Sequence, residues 1–217
     1  LGLGIPAGVE IAFKTVELSL TRMEEESYGD LGAGPTALQY DLKSAYNNVD
    51  RKTMMSKALS RFPTLARMLH LLYGEAGKLF FVSRGELVES FEYSHGVLQG
   101  CPLGLHGLCL ALWDFFEQLD VYIKSINATA VWIADDLTIV VAKKHAAPLI
   151  QWVSQGLTQH HMHLSTGKLY AYMPGIPHEH YSDMLRSNGF RVSQQGLHRL
   201  LGAPIGTRMW LASDTGQ

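Results

Sequence analysis

The chain has 217 residues, 47% of them hydrophobic, and a formal net charge of −2. That is apolar material for one large domain or a compact lobe, and the near-neutral charge argues against a piece that grips nucleic acid strongly by itself. No apolar stretch reaches the length of a membrane span, and two cysteines, Cys101 and Cys109, fit neither a disulfide framework nor a zinc motif, so they read as free thiols of a reducing, intracellular compartment.

The predicted elements run as follows. Residues 5–27 predict a helix with apolar positions at Ile5, Val9, Phe13, Val16, Leu18 and Leu20. The acidic run Glu24-Glu25-Glu26 and a Gly-rich loop over 29–35 follow, then a strand over 37–41 ending at Asp41. Asp50 is the expected N-cap of a helix over 51–61, and Pro63 opens a helix over 63–73 that stops near Gly74. Strands over 78–82 and 87–93 predict a hairpin around Arg84-Gly85. A long apolar helix is expected over 103–124. Two β-branched runs, 129–133 and 137–142, predict a hairpin with Asp135 and Asp136 at its tight turn. A helix over 145–160, a strand over 168–173, a helix over 179–188 and a strand over 197–203 complete the chain. Interspersed helices and strands with an antiparallel hairpin predict an α+β fold, an antiparallel sheet with helices packed on one face. The chain does not begin with Met and shows no signal-peptide pattern, which predicts a piece of a longer protein.

Asp135 and Asp136 carry the chemistry. Burying an unpaired carboxylate is very costly, so adjacent acids between apolar strands call for a strong cation. Two divalent ions about 4 Å apart would satisfy them, given a third carboxylate to bridge the pair. Asp41, at the end of the strand Ala37-Leu38-Gln39-Tyr40-Asp41, supplies one.

Five segments in order resemble the palm motifs of a reverse transcriptase of the retroelement type without long terminal repeats. The first is Tyr40-Asp41 with Ala45-Tyr46 and Val49; the second is Gly96-Val97-Leu98-Gln99-Gly100-Cys101-Pro102-Leu103-Gly104. The third is Ala134-Asp135-Asp136, the fourth Leu164 to Lys168, and the fifth Leu201-Gly202 with Pro204 and Gly206. Gly8-Val9-Glu10 resembles the stretch just before them. The resemblance implies an RNA-directed DNA polymerase palm over 37–206, with 1–36 as partial fingers and a connecting helix and 207–217 as the start of a missing C-terminal region. It implies two Mg²⁺ or Mn²⁺ ions held by Asp41 and Asp135, by Asp136 as a weaker ligand or orienting group, and by the Leu42 carbonyl.

The same resemblance implies that Tyr46 lies under the incoming sugar and excludes a 2′-hydroxyl. Gln99, Gly100 and Pro102 belong to a loop supporting the template base and nucleotide, and Lys168 is the candidate general acid for pyrophosphate departure. Implied partners are an RNA template, a DNA primer, a dNTP and further domains of a parent chain or ribonucleoprotein, without a membrane; a retroelement enzyme implies the nucleus. The chain departs from the family's pattern at Ile133 (usually Tyr or Phe), Gly104 (usually Ser), Leu105 (usually Pro) and Ser165 (often Asn). An RNA-directed RNA polymerase shares the two-metal palm, but Tyr46 and Ala-Asp-Asp argue against it. A catalytically silent reverse-transcriptase-like protein with a structural or RNA-binding role is the alternative from another class.

Three other features read blandly. His160, His161, His163, His178 and His180, with Glu179 or Asp183, suggest zinc but match no standard spacing, and helix C-terminal contacts are the simpler reading. Trp113, Phe115 and Phe116 could stack bases, yet core packing is the stronger expectation. Lys143-Lys144 reads as a solvated face.

Overall fold

The computed structural model describes residues 6–27, 30, 32–174 and 179–194, with backbone alone for 196–200 and 203–206. Its described residues form two compact units that interleave along the chain. One contains 1–43, 118–156 and 163–217; the other contains 44–117 and 157–162.

The first unit is built on a five-stranded sheet, in the order β4-β5-β1-β6-β7. The strands are β1 (Pro35–Asp41), β4 (Thr129–Ile133), β5 (Asp136–Ala142), β6 (Leu169–Tyr172) and β7 (Phe190–Ser193). β1 pairs antiparallel with both β5 and β6, and β4 pairs antiparallel with β5. Only β6 and β7 are parallel, joined by the crossover helix α7 (Glu179–Ser187). β7 has no counterpart among the predicted strands. Four residues with a single charged interruption carry too little periodicity to be seen locally.

Helix α1 (Gly8–Glu26) buries Ala12, Val16, Leu20 and Met23, a stripe at helical spacing. Val16, Leu20 and Met23 pack with Ala37, Val140 and Tyr172 on one face of the sheet. The opposite face, with Leu38, Tyr40, Leu137 and Ile139, is buried too. A groove on that side is lined by α6 (Lys143–Gln159) together with Leu169 and Phe190. α1 thus packs on one face of this sheet and α6 borders the groove on the other, where β1 and β5 are apolar as well. Lys143 does not lie on the solvated face expected of it: it is 6% exposed, and burial lowers its pKa from the usual lysine range. Its N–H donates to Gly34 O, which fixes the start of α6 under the loop, while Lys144 stays exposed.

The second unit holds a 3₁₀ turn (Ala45–Asn48), α2 (Arg51–Arg61), α3 (Pro63–Tyr73), the hairpin β2 (Gly77–Ser83)–β3 (Glu86–Tyr93), and α4 (Gly104–Ala111). Asp50 caps α2 as expected, accepting from Lys52 N and Thr53 N, both at 3.2 Å. The long helix expected over 103–124 is two helices, α4 and α5 (Trp113–Ser125). The break falls at Leu112, which is fully buried and whose N–H reaches both Leu108 O and Leu110 O. Neither Gly nor Pro marks it, so no local signal announces it. β8 (Gly196–Leu200) and β9 (Ala203–Gly206) form a backbone ribbon where one strand was expected; Leu201 and Gly202 lie outside the described residues. Among the described residues, no helix is long and apolar enough to cross a membrane.

Candidate active site

β1 and β5 run antiparallel in a register that sets Asp41 opposite Asp136. Asp136 in turn faces Ile133 across the β4–β5 hairpin, leaving Ala134 and Asp135 as a two-residue loop. Ala134 has φ 54°, while Asp135 is not in the positive-φ region, the pattern of a turn that normally takes Gly first. An alanine there is strained by about 1 kcal/mol. The indole of Trp132 donates to Ala134 O at 2.7 Å, which steadies the peptide leading into Asp135. The sequence reading passed over Trp132, because its strand position reads as a packing residue.

Asp136 feels the charges of the other two carboxylates. Asp136 is half-buried, and its pKa rises to about 6. Burial is the first cause, the charges of Asp135 and Asp41 add to it, and Lys168 opposes them. Lys168 reaches the site through a tight turn: its N–H donates to Ser165 O at 3.2 Å, and Gly167 takes φ 89°. The turn is anchored on the extension of β1, where Lys43 N donates to His163 O and Ser165 N donates to Asp41 O, both at 2.8 Å. These bonds flank the Leu42–Leu164 bridge and use the carbonyls of His163 and Asp41, not that of Leu42. The Lys168 ammonium stands 3.5 Å from Asp41 Oδ2. Asp41, Leu42, Asp135, Asp136 and Lys168 are thus brought together in the first unit.

Tyr46, Gln99, Gly100 and Pro102 belong to the second unit. Tyr46 is half-buried in the 3₁₀ turn, and its carbonyl accepts from Val97 N at 2.7 Å. Gln99 and Gly100 form an exposed turn, with Gly100 at φ 86°, before Pro102 and the start of α4. Gly104 explains its own departure from the family pattern. A Cβ there would lie 2.5 Å from Leu98 O and 3.6 Å from Tyr46 Cδ1, so the backbone approach leaves no room for Ser.

Among the described residues, no group of three or more His, Cys, Asp or Glu side chains stands closed around a point that would hold an ion. Among the described residues of the histidine-rich stretch no zinc-like group comes together; His178 lies outside them. His160 instead packs edge-on to Phe115, which is 1% exposed and part of the core, whereas Trp113 and Phe116 are half-buried and Trp113 packs edge-on to the exposed Phe62. The three Asp carboxylates and a backbone carbonyl are all hard oxygen donors, the type that suits Mg²⁺ or Mn²⁺. Their mutual repulsion is the kind a cation relieves.

A mostly antiparallel sheet with helices on it, its acids gathered at adjoining strand ends, has the architecture of a polymerase palm. The family model described as reverse transcriptase (RNA-dependent DNA polymerase) matches residues 11–203, and the chain belongs to that family. Solved structures agree on the fold. An apo telomerase from Candida tropicalis, truncated from its C-terminal domain, superposes with a TM-score of 0.61 at 12% identity, over 91% of this chain and 38% of that one. Telomerase from Candida albicans in complex with the TWJ fragment of telomeric RNA gives 0.61 at 12% identity, over 89% and 34%. This chain therefore spans little more than a third of the telomerase chains it resembles. No curated protein matches the sequence.

Proposed function

We propose that the chain is the catalytic palm of an RNA-directed DNA polymerase of a retroelement without long terminal repeats, adding dNTPs to a primer 3′-hydroxyl on an RNA template. The observation that carries this reading is the convergence of Asp41, Asp135 and Asp136 at adjoining strand ends, with the Lys168 ammonium 3.5 Å from Asp41. Asp41 and Asp135 hold two divalent ions, Asp136 acts as a weaker ligand or orients the others, and the Leu42 carbonyl adds an oxygen. When bound, Mg²⁺ or Mn²⁺ supplies Lewis acidity at the primer hydroxyl and at the departing pyrophosphate. Lys168 donates a proton to the leaving oxygen, Tyr46 excludes a 2′-hydroxyl, and the Gln99–Pro102 loop supports the template base and nucleotide.

On this reading residues 37–206 are the palm, 1–36 are a connecting helix with part of the fingers, and 207–217 begin a further region. The RNA template, DNA primer and remaining domains of a parent chain complete the assembly, and the enzyme works in the nucleus.

Primer extension on an RNA template by the full-length parent protein tests the proposal. Asp135→Asn is expected to lower extension by at least about 10³-fold while leaving the melting temperature within a few degrees. A folded parent that extends no primer would overturn it in favour of a catalytically silent, structural reverse-transcriptase-like protein. Comparing dNTP with rNTP incorporation separates the proposal from an RNA-directed RNA polymerase.

A further inference from the structure

Arg51, the first residue of α2, gathers five backbone carbonyls. Its Nε donates to Gly96 O at 2.7 Å. Nη1 donates to Tyr73 O at 3.4 Å and Glu75 O at 3.2 Å. Nη2 donates to Tyr93 O and His95 O, both at 3.4 Å. The guanidinium carbon also lies 5.3 Å from the Tyr73 ring centroid and 4.5 Å from that of Tyr93. Only a planar fork with five N–H donors can serve so many acceptors while stacking on rings; a lysine has three donors and no plane.

The five carbonyls come from three places: the end of α3 and the residue beyond Gly74, the end of β3, and the His95-Gly96 link. The chain leaves this clamp directly into the nucleotide loop. Gly96 N donates to Val49 O at 3.2 Å, Val97 N to Tyr46 O at 2.7 Å, and Leu98 N to Tyr73 Oη at 3.3 Å. Gln99 and Gly100 come next. Arg51 therefore sets where the chain enters the Gln99–Gly100 turn, and through Val97 it sets the register of that turn against Tyr46. All of these contacts lie within the second unit.

We propose that Arg51 is a positioning residue for nucleotide selection, holding residues 96–100 in register with Tyr46. The proposal rests on the polymerase function above, and it gives Arg51 no contact with the nucleotide itself. It predicts a change in how nucleotides are bound and discriminated, not in the metal chemistry of the other unit.

The test uses the full-length parent chain, wild type and Arg51→Lys, with two readouts. In steady-state primer extension, the KM for dNTP is expected to rise about tenfold with kcat changed less than about threefold, and dNTP-over-rNTP discrimination to fall by a similar factor. In amide hydrogen exchange without substrate, Val97 and Leu98 are expected to exchange at least about tenfold faster, while Ile139 and Val140 keep their protection. Tyr93→Leu removes one stacking ring and leaves the guanidinium, so it shifts both readouts the same way by about threefold. It keeps the proposal testable if Arg51→Lys fails to fold. Unchanged protection of Val97 and Leu98 overturns the clamp whether or not the enzyme is active. Loss of kcat with KM and discrimination unchanged overturns the positioning role and leaves Arg51 as mere scaffold. A wild-type parent that extends no primer overturns the polymerase function and with it the nucleotide role, and amide exchange then still decides whether Arg51 holds the loop.

Discussion

Asp136 is the residue at which the fold and the proposed chemistry pull in opposite directions. Its carboxyl is raised to about 6, by burial first and then by Asp135 and Asp41. The folded state therefore binds the proton more tightly than the unfolded chain does. The stabilisation this gives is fully present below the ordinary aspartate pKa and is lost as pH rises through about 6. Above that, the ionised group costs about 1 kcal/mol, once the shift is discounted for its half-exposed setting. Asp136→Asn should accordingly stabilise the ion-free protein by about 1 kcal/mol at pH 7, with most of the gain gone by about pH 4. Urea unfolding at the two pH values measures it, and an equal gain at both would show that charge is not the cause. The carboxylate pair was legible in the sequence because two acids between apolar strands are conspicuous. Lys168 was legible only as one member of a motif series. Its 3.5 Å approach to Asp41 depends on the Ser165–Lys168 turn, anchored on β1 by two backbone bonds.

Among elements, the link from β3 to α4 is set by close backbone approach. Gly96 has φ +66°, and a Cβ there would lie 2.5 Å from Asn47 O and 2.6 Å from Asn47 C and Cα. The neighbour is backbone of the 3₁₀ turn carrying Tyr46, so it cannot swing aside as a side chain would. Gly96→Ala should destabilise the protein by about 3 kcal/mol, measured by thermal or chemical unfolding. A loss below about 1 kcal/mol would mean that the 3₁₀ turn yields at little cost. The element boundaries show where local signals suffice. α2 and α3 begin and end where Asp50, Pro63 and Gly74 predict, because caps and prolines act through neighbouring backbone. The break at Leu112 and the strand β7 were not visible, because packing and parallel pairing with a distant strand produce them.

For the whole molecule, charge sets the expectation. A net charge of −2 leaves little electrostatic attraction for a phosphate backbone. The isolated chain should bind single-stranded RNA weakly, with a Kd above about 1 μM at physiological salt and a shallow salt slope. Fluorescence anisotropy across a salt titration measures both. Nanomolar binding with a steep slope would show that local basic surfaces outweigh the net charge. This chain spans 38% or less of the telomerase chains with the same fold.

The sequence by itself determined the family, the α+β class, most helices and hairpins, and the three acids, because motif order, caps, turn residues and apolar periodicity are local properties of a chain. Tertiary structure alone decided the rest. The register that opposes Asp41 to Asp136 depends on pairing between residues almost a hundred positions apart. The five carbonyls around Arg51 and the burial of Lys143 and of both sheet faces likewise follow from which distant surfaces meet. Backbone carbonyls and packing partners leave no mark in side-chain pattern, so they become visible only once the chain is folded.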